Sequence, residues 1–204
     1  MSRNNESGND KNLYFFQQVA QFIDPNIAEK DLIYLTDGLT YSEVERGELL
    51  ITPDRIHTKI KFITKGLVRG YYIDPSGEEI TTRILSEGGF ATHYSAFLAQ
   101  RSSDYYFEAL EKTSILSFSF DYIQKGYAEN PGLERFGRLV AEGIINILES
   151  RTRSFQFMGG EERYLQFLKE KGDLANRLSV THLATYLGLT RPSLSRIRSQ
   201  LSKK

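Results

Sequence analysis

The chain has 204 residues, 40% of them hydrophobic and 12% aromatic, which is enough to bury a real core and argues against a disordered chain. It contains no cysteine, which excludes disulfides, zinc fingers, thiolate-held iron–sulfur clusters and cysteine nucleophiles. The formal net charge is zero, but residues 1–160 carry 17 basic and 22 acidic side chains, whereas residues 161–204 carry 9 and 4. Within 174–204 there are six basic groups and no acid, a bias that suits a module meeting a polyanion.

The opening stretch, MSRNNESGNDKN, is polar throughout. It reads as a disordered tail over 1–12 and not as a signal peptide. No run approaches the roughly 20 apolar residues of a membrane helix, so a cytoplasmic protein is expected. Leu13, Phe16, Val19, Ala20, Ile23 and Ile27 recur at close to 3.6 residues and predict helix over 13–35, with Asp24-Pro25 breaking it into two.

From about 39 to 120 the period shortens. The segment TKIKFITKG alternates, and LVRGYYIDPSGEEITTRIL sets Asp74-Pro75-Ser76-Gly77 between two β-rich runs, a hairpin signal. DYYFEAL and TSILSFSF are further strand candidates, the latter placing Ile115, Ser117 and Ser119 opposite Leu116, Phe118 and Phe120. Short strands punctuated by glycine predict an antiparallel sandwich or barrel.

After Pro131 the helical period returns. Leu133, Phe136, Val140, Gly143 and Ile147 fall at steps of three and four, and Leu139, Ile144 and Leu148 form a second stripe. One stripe is expected to face the β domain and the other a second copy, with Phe136, Val140, Gly143 and Ile147 at the seam.

Three short helices are expected to close the chain, over 161–172, 179–188 and from Thr190 onward. Tyr164, Leu165 and Leu168 would point inward on the first. Gly172 is a plausible stop for it. The second and third are joined only by Gly188-Leu189-Thr190, so they must cross sharply, as in a helix-turn-helix. Gly188 sits where the turn needs positive φ. Thr190 is the expected N-cap, and Pro192 is tolerated in the first turn. Leu183, Leu187, Leu189, Leu194, Ile197 and Leu201 would form a small core, leaving the arginines and serines of the last helix on its outer face. The residues expected to meet double-stranded DNA are Thr190, Arg191, Ser193, Ser195, Arg196, Arg198, Lys203 and Lys204. Of these, Arg191 and Arg196 are placed for base edges and the serines, Arg198 and the lysines for phosphates.

Taken in order, KGLVRGYYIDPSGEEIT, then PGLERFGRLVAEGI, then EERYLQFL and LATYLGLTRPSLSRIRSQL resemble the Crp/Fnr family of bacterial transcription regulators over about residues 13–201, most nearly the branch common in Bacteroidetes. The resemblance implies an α+β protein with an antiparallel β-roll of the cyclic-nucleotide-binding type over 13–130. A dimerisation helix over 131–156 and an all-α helix-turn-helix domain over 157–204 would follow. It implies a homodimeric regulator, not an enzyme, that reads an inverted repeat, with RNA polymerase as a candidate further partner.

Nucleotide-binding members of the family hold the ribose with a glycine–glutamate pair and the cyclic phosphate with an arginine and a small neighbour. Here Thr92-His93 stands in place of the first pair, while Arg101-Ser102-Ser103 resembles the second in a loop one residue longer. Loss of the carboxylate costs about 1.5–3 kcal/mol of ribose recognition, so cyclic AMP is not the expected effector. Thr92, His93, Arg101, Ser102 and Ser103 remain the candidate effector pocket for an unidentified small molecule. His57, His93 and His182 lie on different segments, so neither a metal site nor another cofactor is expected.

Overall fold

The computed structural model describes residues 3–202, with side chains from residue 10 onward. Eight α-helices and eight β-strands are ordered among these residues as α1 (Arg3–Ile23), α2 (Glu29–Asp37), β1 (Thr40–Val44), β2 (Leu49–Ile51), β3 (Lys59–Lys65), β4 (Val68–Ile73), β5 (Glu79–Leu85), β6 (Phe90–Ala91), α3 (Tyr94–Leu98), β7 (Tyr106–Ala109), β8 (Thr113–Ser119), α4 (Phe120–Glu129), α5 (Pro131–Phe157), α6 (Gly160–Lys171), α7 (Val180–Tyr186) and α8 (Arg191–Leu201), with a 3-10 turn over Gly172–Asn176. The strands form two four-stranded sheets, ordered β1-β8-β3-β6 and β2-β7-β4-β5. The expected antiparallel β-roll followed by a long helix and a helical C-terminal region is the architecture observed.

The chain divides into two compact units, residues 1–68 with 85–144 and residues 69–84 with 145–204. In the first, the sheet containing β8 is buried on both faces, because residues alternate sides along a strand. Ile63 and Ile115 turn inward to a cluster with Leu50, Ile51, Phe107 and Ala109, the interior of the roll. Phe62, Leu116 and Phe118 turn the other way, onto Phe16 and Ala20 of α1, Leu32 and Leu35 of α2, and Leu133 and Phe136 of α5. Phe16 meets Phe62 edge-on at 5.1 Å between ring centroids. The register Lys61↔Ser117, Phe62↔Leu116 and Ile63↔Ile115 between β3 and β8 sets this sorting.

In the second unit the 69–84 hairpin turns where the sequence placed it. The Asp74 carboxylate accepts from the amides of Ser76 at 2.8 Å and Glu78 at 3.0 Å. Arg69 is buried and ion-paired with Glu79, and its guanidinium lies 4.0 Å from the centroid of the Tyr71 ring. The Thr81 amide donates to the Thr185 hydroxyl of α7 at 3.3 Å.

Three differences from the sequence reading are structural. Helix α1 starts at Arg3, so it takes in most of the stretch read as a disordered tail. No apolar stripe announces those residues, but extending an already nucleated helix costs little per residue. Phe120 does not end a strand; it opens α4, whose N-cap Ser119 accepts from the Tyr122 amide. On α6, Tyr164 is buried and Leu168 half-buried as expected, but Leu165 is 44% exposed and Phe167 is buried in its stead.

Candidate nucleic-acid interface and effector pocket

The C-terminal module is built around Leu183, Ala184, Leu187 and Leu194, all buried. Helix α7 begins at Ser179, whose hydroxyl accepts from the His182 amide at 3.0 Å. The turn after α7 has Gly188 at φ +65°, the left-handed value expected for it, and a Cβ there would strike the Phe155 ring. Thr190 then caps α8, accepting from the Ser193 amide at 3.3 Å, with Pro192 in the first turn. Each of these features follows from the local sequence, and together they fix the angle at which α8 leaves α7.

Leu194 points into the core, and Arg191, Ser195, Arg196 and Ser199 are exposed. Ser193 is half-buried and its hydroxyl lies 2.9 Å from that of Thr190, so it completes the cap as well as facing outward. Arg198 is half-buried and donates from Nε to the Tyr164 hydroxyl at 3.2 Å. Lys203 and Lys204 lie outside the described residues.

Two arginines that sequence reasoning did not single out hold the module together. Arg151 donates to the Tyr186 carbonyl and Arg163 to the Leu187 carbonyl, each at 2.9 Å. Each guanidinium also lies 4.7 Å from the centroid of the Phe155 ring. They satisfy carbonyls that the end of α7 leaves without helical partners. Their charge therefore contributes to the basic balance of this region without lying on α8. Nothing in their spacing marks them, since their partners lie 35 and 24 residues away.

On α5 the residues expected at a dimer seam separate. Phe136 is buried in its own core cluster, which takes it off a seam; Val140 packs against the same cluster but stays half-exposed. The sheet and α2 present apolar surface to that side of the helix and take up the stripe. Gly143 is exposed and Ile147 is 63% exposed, as is Ile145 at 60%.

The candidate effector residues do come together. Thr92, His93, Arg101 and Ser103 line one small cavity with His57, Ala96 and Phe97. Ser102 flanks it, exposed, in a bridge to Ile56. His57 was set apart from His93 by sequence distance, yet the loop after β2 brings it here. The cavity measures about 10 Å³, at the lower limit of room for one water molecule.

It is full of its own side chains. His93 Nδ1 lies 3.1 Å from the Ser103 hydroxyl and 3.2 Å from Asp104 Oδ1. His93 Nε2 lies 3.1 Å from the Ser95 hydroxyl, and the ring meets Tyr105 edge-on at 4.9 Å. Ser103 is buried and bonds the amide and carbonyl of Tyr105. Arg101 is exposed.

Comparisons with known proteins agree with this architecture. Residues 41–130 match the model of the cyclic nucleotide-binding domain. A 96-residue stretch is 29% identical to the global nitrogen regulator of Synechococcus elongatus, covering 47% of this chain and 43% of that protein, so the chain spans less than half of that relative's length in the match. Among solved structures, FixK2 from Bradyrhizobium japonicum superposes with a TM-score of 0.71 at 21% identity, over 81% of this chain and 85% of that one. A CooA mutant from Carboxydothermus hydrogenoformans gives 0.65 at 20% identity, over 82% and 78%. The catabolite activator protein of Thermus thermophilus gives 0.56 at 15%, over 89% and 86%. At these identities the likeness is one of fold, and it extends through the helical C-terminal region to regulators of the Crp/Fnr type.

Proposed function

We propose that this protein is a homodimeric, DNA-binding transcription regulator of the Crp/Fnr type, in the Bacteroidetes-like branch, that does not use cyclic AMP. The observation that carries the reading is α8. Its apolar residue Leu194 is buried and its N-cap is in place. Its exposed face carries Arg191, Ser195, Arg196 and Ser199 in a stretch without acids. In a dimer two such helices would enter successive major-groove faces about 34–36 Å apart and read an inverted repeat. Arg191 and Arg196 would reach base edges. Thr190, Ser193, Ser195, Arg198, Lys203 and Lys204 would hold phosphates.

The dimer would form along α5. Because Phe136 and Val140 pack against the helix-facing side of the β8 sheet, the seam moves to the column Ala141, Ile145 and Leu148, spaced four and three residues apart, in which Ile145 is the exposed large apolar residue. The small cavity around His93 and Ser103, with room for no more than one water molecule, supports the reading that a cyclic nucleotide is not the ligand there. Calorimetry with cyclic AMP and cyclic GMP is expected to show no saturable heat; a micromolar Kd for either would refute that part.

The regulator reading is tested by titrating duplexes from the protein's own gene neighbourhood, and scrambled controls, at several salt concentrations. Preferential binding to one duplex, with affinity falling steeply as salt rises, is expected. Salt-dependent binding without sequence preference would leave a basic surface only. No binding by an intact dimer would favour a ligand-binding or protein-interaction module whose helix-turn-helix does not touch DNA.

A further inference from the structure

The helix-facing side of the β8 sheet closes imperfectly. Between it and helices α2, α4 and α5 lies a cavity of about 60 Å³. Ile60, Phe90 and Phe118 wall it from the sheet, Ile123 from α4, and Val140 and Ile144 from α5. It lies on the opposite face of the sheet from the roll interior, and of its lining residues only Thr92 also lines the small cavity around His93.

Polar groups enter this apolar space in an uneven way. Tyr34 and Tyr122 stack at 4.5 Å and satisfy each other's backbone, each hydroxyl donating to the other residue's carbonyl at 3.2 and 2.8 Å. Tyr94 and Tyr127 also line the cavity, yet neither hydroxyl bonds any described residue. A Cβ on Gly137 would strike the Tyr127 hydroxyl, so the close approach of that phenol to α5 depends on the glycine. Burial raises the pKa of both phenols, that of Tyr127 to about 12. Both are therefore neutral donors at physiological pH. No lysine, arginine or histidine lines the cavity, and an anion placed there would be buried without a counter-charge, which is costly.

We propose that this cavity is a binding site for a small uncharged molecule, a compact apolar body carrying one acceptor oxygen that the Tyr127 and Tyr94 hydroxyls bond. The apolar walls gain by excluding water from the body of such a ligand, and the acceptor takes the place of water at two phenol hydroxyls that bond no other described residue. Size limits the class. Benzene, with six non-hydrogen atoms, occupies an engineered cavity of about 150 Å³; in proportion this cavity at rest takes roughly two or three, and a ligand of about five enters only if Val140 and Ile144 move outward.

The test uses the full chain and butanone as probe, read by the methyl NMR signals of Ile60, Val140 and Ile144. Butanone is expected to shift all three saturably, and propionate, similar in size but charged, to shift none. Tyr127→Phe should weaken butanone about fivefold, the worth of one hydrogen bond, with the methyl spectrum of the unliganded protein otherwise unchanged. Val140→Phe, which fills the space, should abolish the shifts while circular dichroism reports an intact fold. Absence of a saturable shift with butanone would overturn the proposal. So would equal binding of propionate, and so would an unchanged affinity in Tyr127→Phe, which would leave a packing void only. None of these readouts involves DNA, so the outcome is independent of whether the regulator reading holds.

Discussion

Helix α5 is one continuous run of 27 residues, but its two halves meet different fates. In the first, Leu133, Phe136 and Gly137 are buried, and Val140 packs beside them. In the second, Ile145 is 60% exposed, Ile147 63% and Phe157 78%. The periodic apolar signal is the same along both halves. Periodicity reports that a face wants burial; it does not report which partner supplies it. Where the β8 sheet and α2 present apolar surface the demand is met within the chain, and beyond Ile144 it is left over.

The largest expected effect breaks the first half. Phe136→Ala should cost about 3–5 kcal/mol of unfolding free energy in a denaturant titration, since it leaves a void among Phe62, Phe118 and Leu133. The equivalent change in the second half, Ile147→Ala, should stay within about 0.5 kcal/mol, because an exposed side chain has little burial to lose. Similar losses for the two would mean that the halves are not distinct.

The second effect concerns assembly. Ile145→Glu would place like charges on both sides of a two-fold seam, each removed from water without a partner. Light scattering should report monomer for this variant, and its unfolding curve, measured at low protein concentration, should match that of the parent. If Ile145→Glu remains dimeric, α5 is not the seam, and the exposed apolar residues of its second half need another explanation.

The same contrast explains what the sequence could reveal. The roll was legible because alternation along β3 and β8 is a backbone property, and the helix-turn-helix was legible because its cap, glycine turn and leucine stripe all lie within 179–201. Phe136 falls at the expected seam because it shares one helical column with Ile147, and only the sheet decides that Phe136 is buried. Helix α4 was missed because FDYIQKGYAE follows a β-rich run directly and opens with an aromatic, leaving Ser119 as the sole signal. The candidate effector loop has Thr92-His93 where the family resemblance leads one to expect glycine–glutamate. That His93 fills its own cavity depends on Ser95, Ser103 and Asp104 folding back over it, which no local pattern encodes.

Beyond the apolar residues, the exposed face of α8 gives a third prediction. Arg196→Ala should cost about 1–3 kcal/mol at one base pair and relax sequence preference there, while leaving stability unchanged. Arg198→Ala should differ, because Arg198 bonds the part-buried Tyr164 hydroxyl at 3.2 Å, whereas the bond of Arg196 to the Ser193 hydroxyl, at 3.4 Å, is exposed. It should weaken binding to all duplexes alike and lower stability by roughly 1 kcal/mol. Titrations of both variants on specific and scrambled duplexes distinguish the two roles. Equal losses for Arg196→Ala on both duplexes would make it a phosphate contact.

The smallest expected effect lies in the first unit and works through charge. Lys61 is half-buried on β3, on the same side of the strand as Ile63, and sits opposite Ser117 and Ala91. Burial, reinforced by neighbouring Lys59, pushes its pKa down from 10.5 to about 8. The sign follows from the charged form being the disfavoured one in the folded state. Below pH 8 the amine is protonated in both folded and unfolded chains, and the folded chain bears the full cost of a desolvated charge. Between pH 8 and about 10.5 the folded protein releases its proton first, so the unfolded chain binds more protons and stability rises with pH. Partial exposure reduces the cost to about 1 kcal/mol. Lys61→Met should therefore stabilise the protein by about that amount at pH 7, with the advantage shrinking toward zero by pH 10.5. Urea titrations of parent and variant at pH 7, 8.5 and 10 follow the difference directly, and a constant difference across that range would show that the gain comes from packing of the methionine and not from removal of a buried charge.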